Sequence, residues 1–152
     1  MKALTILQPW ASLIQIGAKK IETRSWTSTY RGPLAIHAGK GGATEGRNLM
    51  WAEPFKSALN AVGYKFFNEM PRGALIATCQ LVSVIPVYKI TDRGFYQWTG
   101  PDGRDYRFDL TDQERAFGDY TFGRYAWLLA DVDELSTPVP ARGALGLWEC
   151  EL

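Results

Sequence analysis

Apolar and polar positions follow two different periods along this chain, and the periods outline its elements. Ala3 to Leu7 is a short apolar run of strand type. Pro9 stands where a helix can begin, since its missing N–H is no loss in a first turn. Trp10, Leu13 and Ile14 then trace a helical stripe that Gly17 stops. From Lys20 to Trp26 the period changes to two. Lys20, Glu22, Arg24 and Trp26 share one strand face, with Ile21, Thr23 and Ser25 on the other. Pro33 to Ala38 alternates in the same way, with Leu34, Ile36 and Ala38 opposite Ala35 and His37. A glycine-rich tract over Gly39 to Gly46 leads into a helix. That helix carries Trp51, Phe55, Leu59 and Val62 at nearly helical spacing, has Pro54 in the first turn of its second part, and ends at Gly63. Ala74 to Val87 is apolar on both faces and predicts a long central strand. Tyr125 to Val132 and Leu145 to Leu152 predict two more.

The stretch from Thr91 to Gly123 has little strand periodicity. Pro101-Asp102-Gly103 reads as a turn, and Leu110 to Phe117 as a short helix with Asp112 and Glu114 near its favourable N-terminal end. A connection of that length is usually a lid or binding loop, or else disordered. Eight aromatics (Phe95, Tyr96, Trp98, Tyr106, Phe108, Phe117, Tyr120, Phe122) argue against disorder. No repeat and no linker is visible, so a single domain over residues 1–152 is expected. Five or six short strands with two or three short helices predict an α+β, mostly β fold: a small barrel with short helices at its ends.

Composition narrows the function. The 152 residues carry 17 Lys+Arg against 16 Asp+Glu, a net charge of +1, which speaks against a strongly basic binder. The average conceals a gradient: residues 1–50 carry +5, residues 51–100 carry +2 and residues 101–152 carry −6. A polyanion would meet the first part of the chain. Cys79 and Cys150 stand far apart in apolar strand-like runs and read as buried, reduced thiols, not a disulfide framework. With His37 the only histidine, the usual zinc spacings are unavailable, and no nucleophile-elbow sequence supports a triad around it. Neither a metal nor a cofactor is implied. The start has no apolar signal-peptide core, and the longest apolar stretch is interrupted and too short to span a bilayer. A soluble cytoplasmic chain is expected.

The basic part is where candidate chemistry gathers. Through Lys40 there are six Lys/Arg and one Glu, with Trp10, Trp26 and Tyr30 interleaved. Cations track phosphates and aromatic faces stack on bases, each stack contributing about 1–3 kcal/mol. The Lys20, Glu22, Arg24, Trp26 face offers an anion site, an acceptor for a base amino group and a stacking surface. The bland alternative is a solvated strand in which Glu22 pairs with Lys20 or Arg24, with Trp10 and Trp26 in the core. Arg31 reads equally as a phosphate contact or a surface strand end. Trp127 and Trp148 read as core. Lys19 has the opposite parity and reaches the charged face only if the turn after Gly17 rotates it.

Three segments, Gln8-Pro9-Trp10-Ala11, Gly17 to Trp26 and Tyr30 to Ala38, hold the pattern Q-P-W-A-x-L-I, G-x-K-x-x-E-x-R-x-W and R-G-x-L-x-I-H-A in order. On these motifs the chain resembles the ASCH family, whose domains have a PUA-like β-barrel. The Phe117 to Trp127 segment and Gly146-Leu147-Trp148 are similar to small stand-alone bacterial and phage members. The resemblance implies an RNA- or nucleotide-facing cleft lined by the G-x-K-x-x-E-x-R segment. It leaves the activity open, because some members are binding domains and others are described as acyl-cytidine amidohydrolases or ribonucleases. Three readings follow: an RNA or nucleotide binder using Trp10, Lys20, Arg24, Trp26, Tyr30 and Arg31; a small hydrolase using Lys19 and Glu22; and a protein-interaction module whose contact is the aromatic loop. For the hydrolase, the amidohydrolase members carry a threonine three residues after the lysine, where this chain has Glu22, and Glu114 is the loose match to their acidic partner. A lysine base also needs a pKa lowered by about three units, which a nearby Glu22 opposes. Protonated, Lys19 would instead stabilise an oxyanion or phosphate while Glu22 activates water.

Overall fold

The structure, a computed structural model, describes residues 1–97 and 102–152. Trp98 of the aromatic stretch and Pro101 of the expected turn lie outside the described residues. In chain order the strands are β1 (Lys2–Ile6), β2 (Ile21–Arg24), β3 (Gly32–Ala38), β4 (Ala74–Pro86), β5 (Lys89–Ile90), β6 (Gly94–Tyr96), β7 (Arg107–Asp109), β8 (Tyr125–Pro140) and β9 (Leu147–Glu149). The helices are α1 (Trp10–Gln15), α2 (Ala43–Leu49), α3 (Phe55–Asn60) and α4 (Asp112–Phe117), with a 3-10 turn at Phe67–Glu69. The fold is α+β and mostly β, as the periodicity predicts. The chain packs as two compact units, one of Met1–Lys19, Gly32–Gln80 and Asp131–Leu152, the other of Lys20–Arg31 and Leu81–Ala130.

In the first unit β1 runs parallel to β3, with Leu4 opposite Ile36, and antiparallel to β9, with Ala3 opposite Trp148. The apolar run of β1 and the alternating run of β3 bury Leu4, Ile6, Leu34 and Ile36. Helix α1 has only six residues, too short to stand without packing, and five of them are buried. Full burial of Leu13 and Ile14 contributes about 1.5–3 kcal/mol each. Its start is fixed by Gln8, whose Oε1 accepts the Ser12 N–H at 2.9 Å and whose Nε2 donates to Ser12 Oγ at 2.8 Å and to Pro71 O at 2.7 Å. Its stop is Gly17, left-handed at φ +81, a conformation glycine takes without a Cβ clash. The reversal lets the Lys19 N–H return to Leu13 O at 3.0 Å.

In the second unit β2 pairs antiparallel with the first part of β8, placing Ile21 opposite Leu128 and Glu22 opposite Trp127. The stretch from Thr91 to Gly123, read as having little strand periodicity, supplies β6 and β7 of a three-stranded antiparallel sheet in the order β5-β6-β7, whose β5 lies just before it. Its strands are only two or three residues long, below the window in which alternation can be read. Phe95 is fully buried and stacks on Phe108 at 5.3 Å and on Tyr120 at 5.6 Å. Phe95, Phe108 and Tyr120 of the aromatic stretch therefore build a core with Ile21, Val87 and Ala126, and Phe117 is buried as well. Tyr106, at 46% exposure, and Phe122, at 71%, stay outside it. Helix α4 starts at Asp112, after Thr111, whose hydroxyl accepts the Glu114 N–H at 3.0 Å.

Two other expectations are corrected. Within the helix expected from Trp51 to Val62 only α3 (Phe55–Asn60) forms, α2 lies before it and begins inside the glycine-rich tract, and only Phe55 and Leu59 of the stripe are buried; Trp51 is 69% exposed and Val62 50%. Strand β8 continues past Val132 to Pro140. Its extension is mostly polar, contains two prolines and buries little beyond Leu135, so neither periodicity nor composition announces it. No helix of the described residues is long and apolar enough to cross a membrane.

Candidate nucleic-acid interface

Strand β2 and the loop after it carry six of the eight predicted site residues in one unit. Glu22 is 6% exposed although it alternates with charged neighbours. Its Oε1 accepts the Thr23 N–H at 3.1 Å, and its Oε2 lies 3.4 Å from Arg24 Nη1. The Arg24 guanidinium lies 5.8 Å from the centre of the Trp26 ring, within cation–π range. Trp26 is half-buried and meets Trp127 edge to face at 4.7 Å, and the Trp127 indole N–H donates to Trp26 O at 3.3 Å. Trp127 itself is fully buried, which bears out its reading as core. Strand parity thus lines up a carboxylate, a guanidinium and an indole as i, i+2 and i+4. The opposite parity of Ile21 and Thr23 serves packing: Ile21 enters the core, and the Thr23 hydroxyl accepts the Asp119 N–H at 3.0 Å.

The remaining predicted residues divide. Lys20 is exposed. Tyr30 is half-buried, and its N–H donates to Ser28 Oγ at 3.0 Å. Arg31 is exposed, yet its Nη1 donates to Ser28 O at 2.9 Å and Tyr30 O at 2.6 Å, so part of the guanidinium clamps its own loop. Trp10 and Lys19 belong to the first unit. The Trp10 ring sits edge-on to Phe55 at 6.3 Å, a packing contact between α1 and α3. Lys19 is fully buried, an uncommon state for a lysine side chain.

Two residues that the sequence marks only weakly belong with β2. Glu114, 8% exposed, accepts the Lys20 N–H at 3.2 and 3.0 Å and the Ile21 N–H at 3.0 Å, which fixes where β2 begins. Tyr120 is 4% exposed, and its hydroxyl has no hydrogen-bond partner among the described residues. Burial first, then the Glu114 and Glu22 carboxylates, push its phenol well above the ordinary value. It therefore stays protonated and keeps a hydrogen to donate. Tyr120 and Arg115 also line a cavity of about 260 Å³, and Arg115 Nη2 is likewise without a partner. An unsatisfied buried donor costs about 1–3 kcal/mol, so an acceptor supplied by a ligand would be favourable here. The signal available in sequence was Tyr120 within the F-G-D-Y segment, which the aromatic count absorbed.

His37 is spent on structure. Its Nε2 faces Ala141 O at 2.8 Å, which only an N–H can satisfy, so Nδ1 is left to accept from Thr5 Oγ1 at 3.2 Å. Thr5 Oγ1 in turn accepts the Trp148 indole N–H at 3.1 Å. Trp148 packs on Ala3, Ala35 and Leu75, as its reading as core expects. No group of three or more His, Cys, Asp or Glu side chains placed to hold a metal ion occurs among the described residues.

A small, mostly β domain with short helices and a carboxylate–guanidinium–indole face on its second strand is the class that these features define. The profile of the ASCH domain matches residues 4–135, and the chain belongs to that family. Activating signal cointegrator 1 of Mus musculus is 32% identical over 82 residues, and the same protein of Homo sapiens 30% identical over 82 residues. Each match covers 54% of this chain and 14% of the relative. The shared segment is thus a small part of those proteins.

Proposed function

We propose that this chain is an RNA- or nucleotide-binding ASCH domain whose contact face is β2 and the loop after it. One observation carries the reading: Arg24 is held between a buried carboxylate and an indole, 3.4 Å from Glu22 and 5.8 Å from the Trp26 ring centre. Such a guanidinium is pre-oriented, and it loses less side-chain entropy when it engages a phosphate. Lys20 and Arg31 add exposed positive charge on either side in sequence. Trp26, half-buried, presents ring surface for a base. The unpartnered Tyr120 hydroxyl supplies a donor for a ligand acceptor. With a net charge of +1, affinity is modest, salt-sensitive and suited to a short strand or a single nucleotide.

Titration with a short single-stranded RNA, followed by tryptophan fluorescence, tests this reading. Binding by the wild type, weakened at least tenfold in Arg24→Ala and in Trp26→Leu, supports it. Equal affinity in all three proteins contradicts it.

A hydrolase reading has one observation in its favour, the complete burial of Lys19, since a lysine is seldom taken out of water without a structural or chemical use. In that reading Lys19 acts as the cation and Glu22 as the base. The substrate is an N4-acylated cytidine or an RNA phosphodiester. Thr23 does not replace the threonine of the amidohydrolases, because it faces Asp119. Turnover of either substrate that disappears in both Lys19→Met and Glu22→Gln supports hydrolysis; no turnover by the wild type rejects it.

A further inference from the structure

Beyond the parallel ends of β1 and β3, in the first unit, lies a cavity of about 900 Å³ that is open to solvent. Its size falls in the range that holds small organic ligands. Leu7, Pro140 and Leu145 give it apolar walls, and Leu145 leaves 98% of its surface in water. Lys40 and Arg142 are its only charged residues, and no carboxylate lines it. Neither cation has an ion-pair partner among the described residues.

The cavity is also shaped by two close approaches. A Cβ on Gly73 would lie 2.4 Å from Lys40 Cε, so the absence of a side chain there gives the lysine stem its bed. A Cβ on Gly143 would lie 2.7 Å from His37 Cε1 and 2.7 Å from Thr5 Oγ1. Thr5, His37 and Ala141 line the cavity, and they are joined by hydrogen bonds from Thr5 Oγ1 to His37 Nδ1 and from His37 Nε2 to Ala141 O. With those side chains engaged, the charged groups left for a ligand are the pair of cations.

We propose that this cavity is a separate binding site for a small phosphomonoester with an aromatic or aliphatic body. Two unpaired cations match a phosphomonoester dianion near neutral pH, and the apolar walls take the body. The site does not depend on the β2 face. No residue of that face lines it.

The single histidine makes the test specific, because the two ring C–H resonances of the protein's one imidazole, His37, report on the cavity lining. The full chain at fixed pH is titrated with 1-naphthyl phosphate, 1-naphthol and inorganic phosphate. The expected result is a saturable shift of the His37 signal by naphthyl phosphate, at least tenfold tighter than by either fragment. A Lys40→Gln, Arg142→Gln double variant, changed only at exposed positions, weakens it at least tenfold, and Arg24→Ala leaves it unchanged. No shift at millimolar naphthyl phosphate, equal affinity for naphthol, or undiminished binding by the double variant overturns the proposal. Loss of RNA binding in Arg24→Ala with naphthyl phosphate binding intact keeps the two sites apart.

Discussion

Removing the Glu114 carboxylate should unseat the start of β2. The side chain is 8% exposed and accepts from two successive amides at 3.0–3.2 Å. Hydrogen bonds to a charged acceptor contribute about 1.5–3 kcal/mol each. The Ile21 amide is buried with its residue and bears the full loss in Glu114→Ala. The Lys20 amide lies next to an exposed side chain and recovers part of its loss from water. The sum is about 2–4 kcal/mol, which for a chain of this length lowers Tm by roughly 5–12 °C. Glu114→Gln retains one carbonyl acceptor but not the charge, and should lose about half as much. Thermal unfolding followed by tryptophan emission reads the change, since Trp26 and Trp127 lie in the same unit. A Glu114→Ala protein with Tm within about 1 °C of wild type refutes the reasoning.

Two more outcomes are expected. Gly94→Ala should cost at least about 1–3 kcal/mol, because the new Cβ would lie 1.9 Å from Phe108 O across β6 and β7; an unchanged urea midpoint would show that the pair separates freely. Burial pushes the Cys79 thiol up to about 12. At pH 8 a disulfide reagent should therefore leave it unmodified in the folded protein, and rapid labelling of both thiols would contradict its burial. The linked stability is fully present below the ordinary thiol value of 9.0 and is lost as pH rises through about 12. The Cys79→Ala variant should accordingly show a shallower decline in stability above pH 9.

The parts of the fold that were legible in sequence are those where one face is buried and the run is long enough to show a period. Strand β3 alternates over seven residues and β4 is apolar for most of thirteen, and both lie where the pattern places them. The strands of the small sheet are too short for a period, so aromatic content was the only signal and it fitted a loop or a core equally. The far half of β8 buries little beyond Leu135, and its prolines argue against a strand. At the candidate interface, strand parity was enough to align Glu22, Arg24 and Trp26. Parity could not show that Glu22 is buried, because burial depends on β8 pairing from more than a hundred residues away. Nor could it connect Glu114 to Lys20 and Ile21, since that contact is made by a helix 93 and 94 positions on. Trp10 and Arg31 show the opposite limit: residue type suggested a ligand contact, and the geometry engages the first with Phe55 and part of the second with its own loop.

The most direct test of a phosphate-contacting β2 face is the salt dependence of single-stranded RNA binding, measured for wild type and Arg24→Gln from 50 to 200 mM salt. If Arg24 neutralises one phosphate, log Kd for the wild type rises linearly with log salt, and the variant binds more weakly with a slope lower by about 0.7. A salt-independent Kd, or identical slopes in the two proteins, would contradict a role for Arg24 in phosphate recognition.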